Sequence, residues 1–90
     1  MAEPAGTFVA ECYWPDVREE DVRALDRRIA ASLADGVRYL GSVLIREDEV
    51  VLFHFEGTAE AIRGVAERAQ LPYERLLAAA VRLGEERTQS

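Results

Sequence analysis

The chain has 90 residues, 49% hydrophobic and 31% charged, with a net charge of -6, which is the balance of one globular domain rather than of a disordered segment. Its 11 basic residues are all arginine and are interleaved with 17 acidic ones, so no basic patch suits nucleic acid or an anionic membrane, and Schiff-base or P-loop lysine chemistry is excluded. One Cys and one His exclude an intramolecular disulfide, a CxxC zinc site and a histidine cluster within a single chain.

Residues 1–6 read as a loose tail without a basic start or an apolar signal core, and a cytoplasmic location is the default expectation. From Thr7 to Trp14 the chain alternates, with Phe8, Ala10, Cys12 and Trp14 on one side and Val9, Glu11 and Tyr13 on the other. That is the pattern of a half-buried strand. Pro15 and Asp16 end it.

The period then changes. Val22, Leu25, Ile29 and Leu33 form a stripe at helical spacing, predicting an amphipathic helix over 18–34 with Glu19, Glu20 and Asp21 in its first turn. Gly36 is the expected stop. Val37 to Arg46 and Val50 to Glu56 read as a hairpin whose loop is Glu47-Asp48-Glu49. A three-residue loop pairs Arg46 with Val50, Leu44 with Leu52, Ser42 with His54 and Leu40 with Glu56. One face then carries Val37, Tyr39, Gly41, Val43, Ile45, Val51, Phe53 and Phe55. The other carries Arg38, Leu40, Ser42, Leu44, Leu52, His54 and Glu56. The first is almost wholly apolar and must meet the helices.

Ala59 to Gln70 is the second helix, with Ile62, Val65, Ala66 and Ala69 as its stripe; Leu71-Pro72 ends it. Residues 73–75 read as a turn and 76–83 as a fourth strand, from the alternation of Leu77, Ala79, Val81 and Leu83, although their Leu and Ala content also suits a helix; 84–90 read as a tail. Strand, helix, strand, strand, helix, strand is the α+β ferredoxin-like βαββαβ order, a four-stranded antiparallel sheet with two helices on one face. The other face is bare in one chain. Apolar residues on a bare sheet need a cover, and a second copy related by a twofold axis is the simplest one. A homodimer is therefore expected.

The candidate site residues lie on that face. His54 is the one side chain whose ordinary pKa lies near neutrality, with Glu11 or Tyr13 and Ser42 as expected neighbours. Beside a carboxylate it would serve as a general base; otherwise it is an interface histidine bonded to Ser42 or a glutamate. Glu11 and Glu56 either approach each other, raising one pKa, or pair with arginines, Arg38 lying nearest Glu56. His54, Glu11 and Glu56 from two copies would suit a divalent transition metal. Tyr13 is the candidate pocket aromatic, whereas Trp14 and Tyr39 point to the core. Cys12 reads as a buried small hydrophobe rather than a nucleophile.

The segments Glu11 through Pro15, Gly36-Val37-Arg38-Tyr39-Leu40, Phe55-Glu56-Gly57 and Ala69-Gln70-Leu71-Pro72-Tyr73-Glu74 carry a family likeness. Over about Phe8 to Leu83 the chain resembles the small actinobacterial DUF4242-type family, whose function is unassigned and some of whose members are described as nickel-binding. The resemblance implies a ferredoxin-like fold and, for such members, nickel. Two departures stand out: Asp16 follows the first-strand proline where the family pattern has glycine, and the second helix contains no histidine.

Together these readings give a homodimeric module that binds a small molecule or metal at Glu11, Tyr13, Arg38, His54 and Glu56. The alternative is a cofactor-independent cyclase, isomerase or oxygenase using His54, Glu11 and Tyr13. A third is a structural or regulatory partner that docks through the same face.

Overall fold

Each change in apolar periodicity marks an element. In the computed structural model, which describes residues 4–80, these are β1 (Gly6–Tyr13), α1 (Glu19–Ala31), β2 (Arg38–Ile45), β3 (Val50–Gly57), α2 (Ala59–Ala69) and β4 (Arg75–Ala79). The strands pair antiparallel in the order β2-β3-β1-β4, which is the ferredoxin-like arrangement. Among the described residues no helix is long and apolar enough to cross a membrane.

The core lies between one sheet face and the two helices. Ala10 and Cys12 of β1, with Val51, Phe53 and Phe55 of β3, meet Val22, Leu25 and Ile29 of α1 and Ile62, Val65, Ala66 and Ala69 of α2. Both phenylalanines are fully buried, each contributing about 1.5–3 kcal/mol. Phe8, Trp14, Tyr39 and Leu76 pack at the edge of this cluster.

Helix α1 is shorter than its stripe suggests. The Ser32 hydroxyl donates to the Arg28 carbonyl at 2.8 Å, and the Ser32 N–H closes a tight turn on Ile29 at 2.9 Å. Serine offers the backbone this local alternative, so the helix stops before Leu33, which is 41% exposed rather than core. Gly36 therefore lies between α1 and β2 and does not end the helix. At the other end the Arg18 N–H donates to Asp21 at 3.0 Å. Helix α2 starts at Thr58, whose hydroxyl accepts from the Ala61 N–H at 3.1 Å. It closes on Gln70 in a left-handed conformation, φ 58°.

Two arginines tie the helices together reciprocally. Arg28, in the last turn of α1, donates to the carbonyls of Ala69 and Gln70 at 3.0 and 3.3 Å. Arg68, in the last turn of α2, donates to the Ser32 carbonyl at 2.9 and 3.3 Å. Each satisfies carbonyls that the end of the other helix leaves without an intrahelical partner.

The hairpin departs from its expected register. Ile45 pairs with Val50 and Leu44 with Val51, so the loop has four residues, 46–49. Farther from the loop Arg38 pairs with Glu56 and Tyr39 with Phe55, because Leu40 is an extra residue that bulges between Tyr39 and Gly41 and shifts the register once more. Between the bulge and the loop every side chain lies on the face opposite to the expected one. Ser42 pairs with Phe53 and Leu44 with Val51 on the helix side, while Gly41 pairs with His54 and Val43 with Leu52 on the open side. The expected pairs Arg46–Val50, Leu44–Leu52, Ser42–His54 and Leu40–Glu56, and the placing of Ser42 and Leu44 on the open face with Gly41, Val43 and Ile45 in the core, are thus corrected.

Strand β4 starts at Arg75, inside the expected turn, and ends at Ala79. The rest of the predicted fourth strand, residues 81–83, and the tail 84–90 lie outside the described residues. Gly6, expected in the N-terminal tail, already belongs to β1.

Candidate functional site

The face of the sheet turned away from the helices holds the candidate residues in three bands. At its centre His54 of β3 stands opposite Val9 of β1 and Gly41 of β2, and Leu77 of β4 lies beyond Val9. One end carries Arg38, Glu56 and Thr7, and the other Glu11 and Arg75, with Tyr13 past them. Five large hydrophobic side chains are exposed among the described residues, and four of them, Tyr13 (58%), Leu40 (44%), Val43 (46%) and Leu77 (38%), sit on this face. Single exposed apolar residues are ordinary; a contiguous set on one sheet face marks a surface with a use.

The bulge shapes the middle of that surface. Gly41 has φ 121° and a side chain there would meet nothing within 4 Å. Glycine satisfies the backbone conformation and leaves space directly across from the imidazole. A groove of about 290 Å³ results, lined by Leu40, Gly41, Ser42, Val43 and His54. His54 is partly exposed as a residue, yet its Nε2 is shielded from solvent and has no hydrogen-bond partner among the described residues. A nitrogen left in that state costs about 1–3 kcal/mol.

The carboxylates do not converge. Glu11 accepts from Arg75 Nε at 2.7 Å and Glu56 from Arg38 at 2.8 Å. Arg75 belongs to β4, on the far side of β1 from His54, so its pull draws Glu11 away from the imidazole. Hydrogen bonding to Glu11 in turn raises the pKa of Arg75. Glu11 aligns with Leu52 and Glu56 with Thr7, which separates the two acids by roughly 13 Å along the sheet. Tyr13 aligns with Val50, roughly 13 Å from His54. Within one chain, therefore, His54, Glu11 and Tyr13 are not assembled for proton transfer. Nor do three His, Cys, Asp or Glu side chains meet to hold a metal ion among the described residues. The described residues of a single chain do not fit nickel: the imidazole Nε2 is shielded and both Glu11 and Glu56 are held by guanidinium groups.

Ser42 belongs to another network. Its hydroxyl donates to Asp26 Oδ2 at 3.2 Å, and the Tyr39 hydroxyl donates to Asp26 Oδ1. Burial and the hydrogen bond to Asp26 push the Tyr39 pKa up. Asp26, a helix residue that the apolar stripe leaves on the polar side, thus anchors α1 to β2 and is structural. A second groove, of about 370 Å³, lies at the Arg38 end of the sheet among Gly6, Gly36 and Gly57. Its two charged side chains, Arg38 and Glu56, are paired with each other through one hydrogen bond. Cys12 is buried and its thiol is pushed up to about 12, first by burial and then by Glu74 and Glu11.

Asp16 takes φ 61°, with its N–H donating to Glu49 Oε2 at 2.9 Å. The backbone there has the left-handed form that glycine adopts freely and aspartate tolerates. Comparison of the chain with models of protein families, with curated proteins and with solved structures finds no match.

The features that sequence reasoning missed are the Leu40 bulge and the Gly41–His54 juxtaposition. A glycine inside a strand pattern is the usual sign of a bulge; here it was available in Tyr39-Leu40-Gly41-Ser42.

Proposed function

We propose that this chain is a homodimeric binding module, which closes its open sheet face against a second copy and holds a small ligand between them. The observation that carries this is the open face itself: Leu40, Val43 and Leu77 exposed around a shielded histidine nitrogen without a partner.

Two considerations favour a second copy as the cover. Four strands at their usual spacing, three of eight residues and one of five, give a footprint on the order of 450 Å². With side-chain relief this approaches the ~800 Å² per partner of a standard interface. The face is also charge-neutral in itself, since Glu11–Arg75 and Glu56–Arg38 are internal pairs. Two copies can then meet without facing unpaired like charges. The pairs are largely solvated and contribute about 0–1 kcal/mol each to stability; their effect on the face is to cancel its charge.

Native mass spectrometry of the protein purified gently from its own host tests this reading. The expected species has twice the 10.0 kDa chain mass, together with a small-molecule adduct. A monomer free of adduct overturns it. A dimer whose added mass is a metal ion replaces the small molecule with the metal reading, in which His54 and the acids of both copies converge.

A further inference from the structure

Resting on that reading, we infer that the ligand is an uncharged, largely apolar ring compound carrying a single hydroxyl, seated in the Leu40–Gly41–Val43 groove with the hydroxyl bonded to His54.

Four observations define the class. The groove is walled by Leu40 and Val43 and floored by the bulged backbone at Gly41, a surface that suits an apolar plate. Its volume of about 290 Å³ is at the small end of ligand sites, which run from about 300 Å³ upward. Among the described residues the one buried side-chain nitrogen or oxygen without a hydrogen-bond partner is His54 Nε2, in the middle of the face. An imidazole nitrogen either donates or accepts, and a hydroxyl answers both cases. Finally, the nearest charges are already matched. Glu56 is held by Arg38 and Glu11 by Arg75 at 2.8 and 2.7 Å. Among the described residues an anionic ligand would have to compete with Glu56 or Glu11 for its arginine, and a cationic ligand with an arginine for its carboxylate, so either would recover less of its lost hydration than a neutral one.

Leu40 sits in the bulge, 44% exposed, and lines the same groove as the imidazole. Because Nε2 is shielded, seating the ligand requires a groove side chain to move, and the hydroxyl then recovers the hydrogen bond that the folded chain forgoes. The groove is open on its outer side. The second copy supplies the roof, so the site is complete only in the dimer.

The probe for this is 2-naphthol, uncharged at neutral pH, titrated by its fluorescence into the full chain alongside naphthalene and 2-naphthoate. The proposal expects saturable binding of 2-naphthol, at least tenfold tighter than that of 2-naphthoate. His54→Leu should weaken 2-naphthol about fivefold to tenfold, as loss of one hydrogen bond does, and leave naphthalene unchanged. Leu40→Ala, which removes one apolar wall without adding charge, should weaken 2-naphthol and naphthalene alike. The proposal is overturned if 2-naphthoate binds as tightly as 2-naphthol, if His54→Leu weakens both neutral probes alike, or if no neutral probe saturates. Light scattering on the same samples separates this from the dimer reading. A dimer that takes no neutral probe overturns the ligand class alone. A monomer that binds 2-naphthol through His54 overturns the shared roof and keeps the ligand class. A monomer that binds nothing overturns both.

Discussion

Gly41 stands directly opposite His54 across the β2–β3 ladder, one residue past the Leu40 bulge. A three-residue hairpin loop would have put Ser42 there and filled the space beside the imidazole. The four-residue loop 46–49 sets the register that turns that hydroxyl to the helix side, where Asp26 accepts it, and leaves the imidazole facing a bare backbone.

That arrangement predicts two unequal glycine replacements. At Gly41 the cost is conformational, because φ is 121° but a side chain meets nothing within 4 Å; Gly41→Ala should destabilise by about 1–2 kcal/mol. At Gly57, φ 153°, a Cβ would also lie 2.8 Å from the Gly36 carbonyl oxygen, and Gly57→Ala should cost about 3 kcal/mol or more. Urea unfolding at one fixed protein concentration gives both values. Equal losses would mean that the close approach of Gly36 and Gly57 does not constrain the fold.

The reciprocal arginines predict a loss that no surface charge pair would produce. Arg28→Ala leaves the Ala69 and Gln70 carbonyls without their donor and should destabilise by about 1–2 kcal/mol. Arg28→Lys should recover less than half of that, since an ammonium cannot reproduce the forked contact. Arg23→Ala is the control: its partner is Glu19, four residues away on the exposed face of the same helix, and it should cost no more than about 0.5 kcal/mol. Thermal unfolding of the three variants ranks them.

Cys12 should resist modification while the chain is folded. Its thiol is pushed from 9.0 up to about 12, which lowers the thiolate fraction at pH 8 roughly a thousandfold. A thiol reagent should therefore react at least that much more slowly with the native protein than with the protein in urea. Because the folded-state pKa is raised, the neutral thiol's contribution to stability is present below pH 9 and is lost as pH rises toward 12. Rapid native labelling would show that β1 opens readily from the sheet.

Much of this fold is legible in the sequence because burial imposes a period. Phe53 and Phe55 alternate with Leu52 and His54, and Ile62, Val65, Ala66 and Ala69 recur at helical spacing, so β3 and α2 announce both their type and their buried side. The register of β2 is not fixed in the same way. Leu40, Val43 and Leu44 are all apolar, so apolarity alone accepts either face for each of them. The longer loop and the bulged residue together return Arg38 to the face that parity gives it, opposite Glu56 where Leu40 was expected, and turn over the residues between them. The pairing of Glu56 with Arg38 was readable, whereas that of Glu11 with Arg75 was not. It needed the position of β4, whose Leu and Ala content reads equally well as helix. Asp26 and Arg28 look like solvent-facing charges on the polar side of α1. Their partners, Tyr39 and Ser42 for one and the end of α2 for the other, come from distant parts of the chain.

The central claim is that the open face is an interface between two copies. Its most direct test is the solution mass, by light scattering, of the native chain, of Val43→Glu on the open face, and of Ala30→Glu on the exposed side of α1, where the same charge is added away from that face. The account predicts a dimer for the native chain and for Ala30→Glu, and a folded monomer by circular dichroism for Val43→Glu. A native monomer, or a Val43→Glu variant that remains dimeric, would contradict it.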